Sequence, residues 1–393
     1  MDDDRRLIAE VGEVISVPRA APADSFVLHA PLELLARAGL LPFVRPDARA
    51  GARERVRGLA AEYLAAGDPV EPPAPVDVDS VEDGAARLVA AIEGGDLDDV
   101  DRLARWVGDH STASELRQLL AQPVAASLAA AAHASILLYL LPRVALAAGV
   151  PVSIVRGPAR ELARNPGWRL HWFDDPDGIA APSGTLIDAL LETPILGLPG
   201  SNFIFPIMNQ AEESGVAAKL LAGVIDGNAE SAGRDLARIA ALSMLQESPE
   251  HAPYGWSHCL TMPQAVIALA GHGSQPRTAI AVAATHVVGF RAALGECSLD
   301  VGYQPPPAAT ADLAEAIATG QGEAAAWVWH APEAALDEIV TALATRAALH
   351  HDAHLVKYTL ACFDAAAADP ASRRLYLSAA ASLSGWWAQF PDQ

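Results

Sequence analysis

The run HHDAHLVKYT, from His350 to Thr359, combines side chains that could do chemistry in an otherwise apolar, alanine-rich region. If it is helical, His350, His354 and Lys357 share one face, because residues three and four positions apart are neighbours on a helix. A lysine there is costly to bury unless the protein uses its amine. A metal centre could use it, once the amine has lost its proton or has formed a carbamate with carbon dioxide. The simpler interpretation is a surface lysine whose stem lies on the core.

Three upstream histidines occupy similar apolar surroundings: His29 in SFVLHAPLELL, His133 in AAAAHASILLYL and His258 in YGWSHCLTMPQAV. Each has an ordinary alternative, a cap or surface position for His29 and core packing for His133 and His258. Neutral imidazoles are common ligands of iron, copper and zinc, and a helical bundle can bring them together from distant helices. Together with the C-terminal run, these residues look like one ligand set assembled from across the chain.

Aromatic side chains near the third histidine and in the middle of the chain are candidates for a substrate pocket. Tyr254 and Trp256 shortly precede that histidine, and Phe203 and Phe205 lie in a Pro- and Gly-rich stretch. Core packing is the alternative for each of them. The pattern predicts a pocket wall that includes Tyr254, Trp256 and Phe203.

Two further histidines are candidates for catalysis. His286 lies in the apolar run VAATHVVGF and could hydrogen-bond a substrate or transfer a proton. His350 lies on the predicted helical face described above and is also the reserve for a fourth histidine ligand. We therefore predict His286 and His350 as catalytic residues.

Composition excludes several functions. The 393 residues carry a formal net charge of −21, and no window interleaves basic with aromatic residues, which argues against a nucleic-acid partner. Three widely spaced cysteines without a CxxC pattern argue against a disulfide framework and favour a reduced cytoplasm. HExxH, GxGxxG, Walker A and GxSxG motifs are absent. The acidic N-terminus lacks an apolar signal core, and the run 124–141 reads as a core helix rather than a membrane span, so we expect a cytoplasmic protein without a membrane partner.

The elements that must position these residues are helices. Alanine and leucine recur at helical spacing throughout, including long predicted helices at 113–141, 331–350 and 353–368. Alternating strand patterns are limited to 150–155 and 170–173. We expect an all-α, multi-helix bundle forming one large domain over residues 1–393. Its Pro- and Gly-rich segment 149–209 is expected to be irregular, either an insertion or an active-site cover.

Four blocks, in order, resemble the questin oxidase-like family. LHAPLELLARAGL around His29 resembles the family's "NHG…ALxxLG", and AAHASILLYLLPRVALA around His133 resembles "THG…R…A". WSHCLTMPQAVIALA around His258 resembles "VHAxTxPxAV". HHDAHLVKYT resembles "HGDEHVIKFT", and His350, Asp352, His354 and Lys357 coincide with it. The matches extend over nearly the whole chain except for about 150–215.

The sequence also departs from the family pattern beside the matched histidines. Ala30 and Ala134 stand where the family has glycine, His351 replaces another glycine, and Ala353 replaces a glutamate. These changes affect the backbone and the neighbours of the histidines, but they leave the histidines in place.

The resemblance implies a mainly helical oxygenase that acts on polycyclic aromatic polyketides such as anthraquinones or anthrones. It implies that Fe(II) is bound by His29, His133, His258 and His354, with Lys357 as a carbamylated ligand. The expected reaction is oxidative ring cleavage or oxygen insertion with dioxygen. A reductant such as NADPH and a homo-oligomeric state stay open.

Two alternatives belong to other classes. One is a metal-dependent hydrolase or isomerase on the same fold, since a carbamylated lysine also suits hydrolytic zinc sites. The other is a non-catalytic helical binding protein in which the histidines are core residues. The identity of the metal distinguishes the first alternative, and a stability that does not respond to chelators would favour the second.

Overall fold

The computed structural model describes residues 2–20, 24–71, 73–174, 181–200 and 204–390. Within these ranges the chain is all α-helical, as predicted, with 19 α-helices and no β-strand. In chain order they are α1 (Asp2–Ile15), α2 (Ser25–Leu40), α3 (Arg49–Ala65), α4 (Val81–Gly94), α5 (Leu97–His110), α6 (Ala113–Ala125), α7 (His133–Ala148), α8 (Arg156–Arg164), α9 (Leu186–Leu191), α10 (Ile204–Glu213), α11 (Val216–Leu221), α12 (Ala229–Gln246), α13 (Ser257–Ile267), α14 (Pro276–Leu294), α15 (Leu313–Thr319), α16 (Gln321–His330), α17 (Leu336–Leu349), α18 (Ala353–Ala368) and α19 (Arg373–Gln389).

Several helix starts follow from the local sequence. The side chains of Asp24, Thr112 and Asp352 accept hydrogen bonds from backbone N–H groups in the first turns of α2, α6 and α18. In α6, Glu115 completes a capping box. Such caps satisfy amide groups that have no partner inside the helix, so the local sequence favours these boundaries.

Four helices enclose the region in which the candidate ligands lie. Helix α2 packs on α7 and α18, and α13 packs on the same two helices. Helices α13 and α18 are buried on almost every side. A helix that is apolar all round belongs in the interior, so its apolar residues carry the few polar ones into the core with it.

The predicted helix at 113–141 is wrong in one respect, because it is two helices. Helix α6 ends at Ala125 and α7 begins at His133. Between them, Ala130, Ala131 and Ala132 have φ angles of 50°, 51° and 57°, which lie in the left-handed region. For a residue with a Cβ this conformation costs about 1–2 kcal/mol. The run of alanines gives no local sign of the break, so the packing around it must hold the strained turn.

The strained turn leads to a stability prediction. Ala131→Gly is expected to leave the free energy of unfolding within about 0.5 kcal/mol of wild type, because relief of strain offsets the lost methyl and the greater freedom of the unfolded chain. The matched Ala129→Gly lies outside the positive-φ run and is expected to cost about 1–2 kcal/mol. Chemical denaturation of both metal-free variants measures the difference. Equal losses in the two variants would contradict a strained native turn.

The prediction of one helix over the run His350–Thr359 is also wrong at its start. Helix α17 ends at Leu349, and His350 is extended, with ψ of 154°. Asp352 then caps a new helix through the backbone N–H groups of His354 and Leu355. The prediction that His350 shares a helical face with His354 is therefore wrong. The cap at Asp352 starts a separate helix instead of continuing the first.

The middle segment is more regular than expected. Residues 149–209 include α8, α9 and the start of α10, although 175–180 and 201–203 lie outside the described residues. Neither predicted strand is found. Val152–Val155 is a 3₁₀ turn, and 170–173 is irregular, with one isolated bridge between Ser127 and Arg169 beside it. The role of this segment as a cover stays a prediction.

Two helical stretches are long and apolar enough to cross a membrane, namely Ser25–Phe43 and Ala129–Ala148. Of their most apolar windows, 61% and 78% are buried inside the fold. The core helices of soluble proteins pass the same test, so these stretches are weak evidence for a membrane protein.

Candidate metal centre

Four histidines from distant parts of the chain meet in the core. The Nε2 atoms of His29 and His133 are 3.0 Å apart. The ring centroids are 4.5 Å apart for His29 and His354, 5.2 Å for His133 and His258, and 5.0 Å for His258 and His354. All four side chains are buried, with exposed fractions of 4–7%. The nitrogens of His29, His133 and His258 all lie within 4.8 Å of one another, so these three residues could hold a metal ion.

Three of these histidines stand at the very start of a helix. His133 is the first residue of α7, directly after the left-handed turn. His258 is the second residue of α13, after a single π-helical turn at Ala252–Trp256. His354 is the second residue of α18. His29 lies one turn into α2. The N-terminal ends of α7 and α18 therefore meet at the site, and such ends favour a negatively charged group. Before His258 the helical turns continue back to Pro249, so α13 has no free end there.

In each of these four histidines, Nδ1 contacts an oxygen atom of the protein. The Nδ1 of His29 lies 2.5 Å from the carbonyl oxygen of Ser25. That of His133 lies 2.7 Å from the carbonyl oxygen of Ala131, on the left-handed turn. That of His258 contacts the carbonyl oxygen of Tyr254.

The fourth histidine has a carboxylate partner. The Nδ1 of His354 lies 3.4 Å from Oδ2 of Asp352. Carbonyl and carboxylate oxygens only accept hydrogen bonds, so in the neutral rings Nδ1 carries the proton and Nε2 carries a lone pair. Histidines that bind metals are oriented in the same way.

Within this cluster, two buried nitrogen atoms have no hydrogen-bond partner among the described residues, namely Nε2 of His258 and Nζ of Lys357. Lys357 lies one turn after His354 on α18 and is itself buried. An unpartnered polar atom in the core is costly, and buried polar groups are seldom left in that state. Both atoms therefore point to a partner that the described part of the chain does not supply.

Burial favours the uncharged forms of the nitrogens in this cluster. It lowers the pKa of His29, His133 and His258 well below the ordinary value, and the nearby Lys357 lowers each of them further. Burial also lowers the pKa of Lys357 to about 7, although Asp352 and Glu33 act in the opposite direction. Neutral imidazoles and a neutral amine are the forms that can donate a lone pair to a metal.

Sequence reasoning gave no role to two acidic groups beside the cluster. Asp352 caps α18 and faces Nδ1 of His354, and its position two residues before that histidine was an available signal. Glu33 is buried one helical turn after His29. Composition also marked Lys357 as unusual, because it is one of only two lysines in the sequence, the other being Lys219.

The predicted pocket aromatics lie in different places. Tyr254 is at the site, with its ring 4.8 Å from that of His354 in an edge-on arrangement and with 45% of the residue exposed. Trp256 is fully buried and donates from Nε1 to the carbonyl oxygen of Ser248 at 3.3 Å. Phe203 lies outside the described residues. Phe205 stacks on Trp168, with centroids 4.2 Å apart.

The two predicted catalytic histidines are outside the ring cluster. His286 is buried in α14, and among the described residues its Nδ1 has no hydrogen-bond partner. Burial lowers its pKa to about 4. His350 stacks on His351 with centroids 4.4 Å apart, and its Nδ1 accepts a hydrogen bond from the backbone N–H of Asp352. His350 is therefore placed to support the turn before α18, and neither ring pairs with the four at the site.

Comparisons with protein-family models, curated proteins and solved structures find no match to this chain. The resemblance to the questin oxidase-like family thus rests on the four sequence blocks alone. What the chain's own geometry supplies is a buried group of three histidines that could hold a metal, with a fourth ring and an unpartnered amine beside it.

Proposed function

We propose that this protein is a nonheme iron oxygenase that cleaves, or inserts oxygen into, a ring of a polycyclic aromatic substrate. The observation that carries the proposal is the 3.0 Å separation between the Nε2 atoms of His29 and His133. Both rings carry their proton on Nδ1, so two lone pairs face each other at hydrogen-bond distance. This arrangement is repulsive unless a cation lies between the two nitrogens.

A metal ion fits this site on several counts. Two nitrogens that each lie about 2.1 Å from one ion, at right angles, are about 3.0 Å apart. The ion would also give a partner to the unpartnered Nε2 of His258 and to Lys357. We propose His29, His133, His258 and His354 as its ligands, with Lys357 as the fifth.

Charge supports a carbamate on Lys357. The carboxyl groups of Glu33, which is buried, and of Asp352, which is half-buried, lie near the amine, and Arg37 pairs with Glu33. If both carboxyls are ionised, a dication and one carbamate bring these buried charges to zero, whereas a neutral amine leaves a net positive charge. Isolated charge in the interior is costly. The N-termini of α7 and α18 at the site also favour a negative group.

Iron would supply the one-electron chemistry of dioxygen, and the protein would supply orientation and a dry pocket. Asp352 and the three carbonyl oxygens fix which nitrogen of each ring faces the centre. Burial of the four rings excludes bulk water. Tyr254 lies at the boundary with solvent, so its exposed ring is a suitable surface for a planar aromatic substrate to stack on.

Metal analysis and calorimetry of the purified wild-type protein test this proposal. We expect about one iron ion per chain, and we expect dioxygen uptake with an anthrone or anthraquinone, measured with and without NADPH. Removing the metal with a chelator should lower the free energy of unfolding by about 3 kcal/mol at a metal concentration near 100 times the Kd, because the ion binds only the folded state. A metal-free protein whose melting temperature ignores chelators would contradict the proposal and favour a helical binding protein.

The second candidate is a metal-dependent hydrolase or isomerase on the same fold. The observation that favours it is the donor set itself, since imidazoles beside a lysine with a pKa of about 7 also suit zinc with a carbamylated lysine. Tightly bound zinc, with no dioxygen uptake after reconstitution with Fe(II), would favour this function.

A further inference from the structure

A buried ion pair lies on the same face of α2 as His29. Arg37 donates from Nε and Nη2 to Oε1 of Glu33, at 2.7 and 2.5 Å. The exposed fractions of the two side chains are 1% and 3%. Burying two charges is expensive, and apolar residues of similar volume are often as stable or more stable in such a position. Stability alone therefore does not account for this pair.

The remaining donors of Arg37 cross to another part of the chain. Nη1 donates to the carbonyl oxygen of Ala348 at 2.7 Å, and Nη2 donates to that of His350 at 2.6 Å. These carbonyls lie at the C-terminal end of α17, more than 300 residues away in sequence. Glu33 holds the guanidinium in the orientation that reaches both of them.

This end of α17 leads directly to the ligand-bearing helix. The backbone N–H of Asp352 donates to Nδ1 of His350 at 3.0 Å. Oδ1 of Asp352 accepts from the backbone N–H of His354 at 2.7 Å, and Oδ2 faces Nδ1 of the same residue. Lys357 follows one turn later. A continuous series of contacts therefore runs from Arg37 to the start of α18.

We propose that Glu33 and Arg37 are positioning residues that set the start of α18, and with it His354 and Lys357, against His29 on α2. This role rests on the proposed metal centre. The pair does not touch the metal or the substrate. It fixes the distance and orientation between ligands on two helices that the sequence places far apart.

The test uses full-length protein and titration with Co²⁺ alone, followed by calorimetry and by visible absorption of the bound ion. The decisive variant is Glu33→Met/Arg37→Met, which removes both charges and keeps apolar volume. Arg37→Lys keeps a charge and a donor but loses the planar fork. The matched control is Asp101→Leu/Arg156→Met, because that buried pair, with two hydrogen bonds of 2.9 Å, joins α5 to α8.

We expect the Glu33→Met/Arg37→Met protein to fold with wild-type helicity and to bind Co²⁺ about 10–100-fold more weakly, with an altered absorption spectrum, as when an outer partner of a metal ligand is lost. Arg37→Lys should lie between this variant and wild type, and the control pair should bind as wild type does. Wild-type affinity and spectrum in the double variant would overturn the positioning role alone. Should the double variant fail to fold, the Arg37→Lys affinity and spectrum decide in the same way. Absence of Co²⁺ binding by wild type would overturn the metal centre and the positioning role together.

Discussion

His258→Ala is expected to lose nearly all bound iron and to lower dioxygen uptake by more than the roughly 10–100-fold that removal of a ligand's outer partner costs. The reason is that Nε2 of His258 is buried with no partner among the described residues, so the substitution removes a proposed metal ligand and supplies no replacement. The same result is expected for His133→Ala. Metal content after reconstitution with Fe(II) measures the effect.

The metal-free proteins distinguish ligand loss from unfolding. His258→Ala removes a costly unpartnered acceptor together with the ring, and the first change offsets part of the packing lost with the second. The metal-free form is therefore expected to retain wild-type helicity and a cooperative unfolding transition. His286→Ala is the matched control, because His286 is an equally buried histidine whose ring lies outside the cluster. Unchanged iron content in both His133→Ala and His258→Ala would remove the ligand assignment. Equal iron loss in the control would point to a general structural effect.

Lys357→Met is expected to stabilise the metal-free protein by about 3 kcal/mol at pH 8 while abolishing oxygenase activity. Burial lowers the pKa of Lys357 to about 7 in the folded protein, against an ordinary value of 10.5. The folded state therefore binds fewer protons than the unfolded state between these two values. Methionine fills a similar volume and has no amine, so the free-energy cost of burying the amine disappears.

The pH dependence follows in sign. Above about pH 10.5 the amine is neutral in both states and costs nothing through proton binding. As pH falls toward about 7 the unfolded chain gains a proton that the folded site excludes, so the stability of the metal-free wild type declines across this window. Below about pH 7 the folded amine is also protonated, and the penalty stays at its full value. Lys357→Met should lack this part of the pH profile.

Denaturant unfolding of metal-free protein at pH 8 and pH 10 measures both effects. Lys219→Met is the natural control, because Lys219 is the other lysine of the chain and is exposed. A loss of stability in Lys357→Met at pH 8 would show that the amine has a partner in the metal-free fold. Activity that returns when bicarbonate is added to wild type but not to Lys357→Met would support the carbamate.

The sequence indicated which residue types belong together, but not how they are held. His29, His133, His258 and His354 were recognisable as polar residues in apolar helices. The partners of their Nδ1 atoms were not, because three of the four are backbone carbonyls, whose positions depend on local geometry rather than on residue type. For Glu33 the local sequence gives no sign of burial, which follows only from the packing of α2 in the core.

The break between α6 and α7, just before His133, also could not be predicted from the sequence. Four alanines in a row favour a continuous helix, and no glycine marks Ala130–Ala132 as left-handed. Only the packing of α7, α8 and α10 around that turn can hold alanines in a conformation that they disfavour. For His350, the capping signal at Asp352 was local and readable, and the mistaken helical face came from giving the spacing more weight than the cap.

By itself the sequence determined the all-α class, some helix boundaries and the candidate ligands, because periodicity, caps and composition act over a few residues. The tertiary structure decided which histidines lie together, which nitrogen each presents to the others, and that Lys357 is buried with no partner among the described residues. These depend on contacts between residues separated by up to hundreds of positions, and on burial, which raises the free energy of every unpaired polar atom.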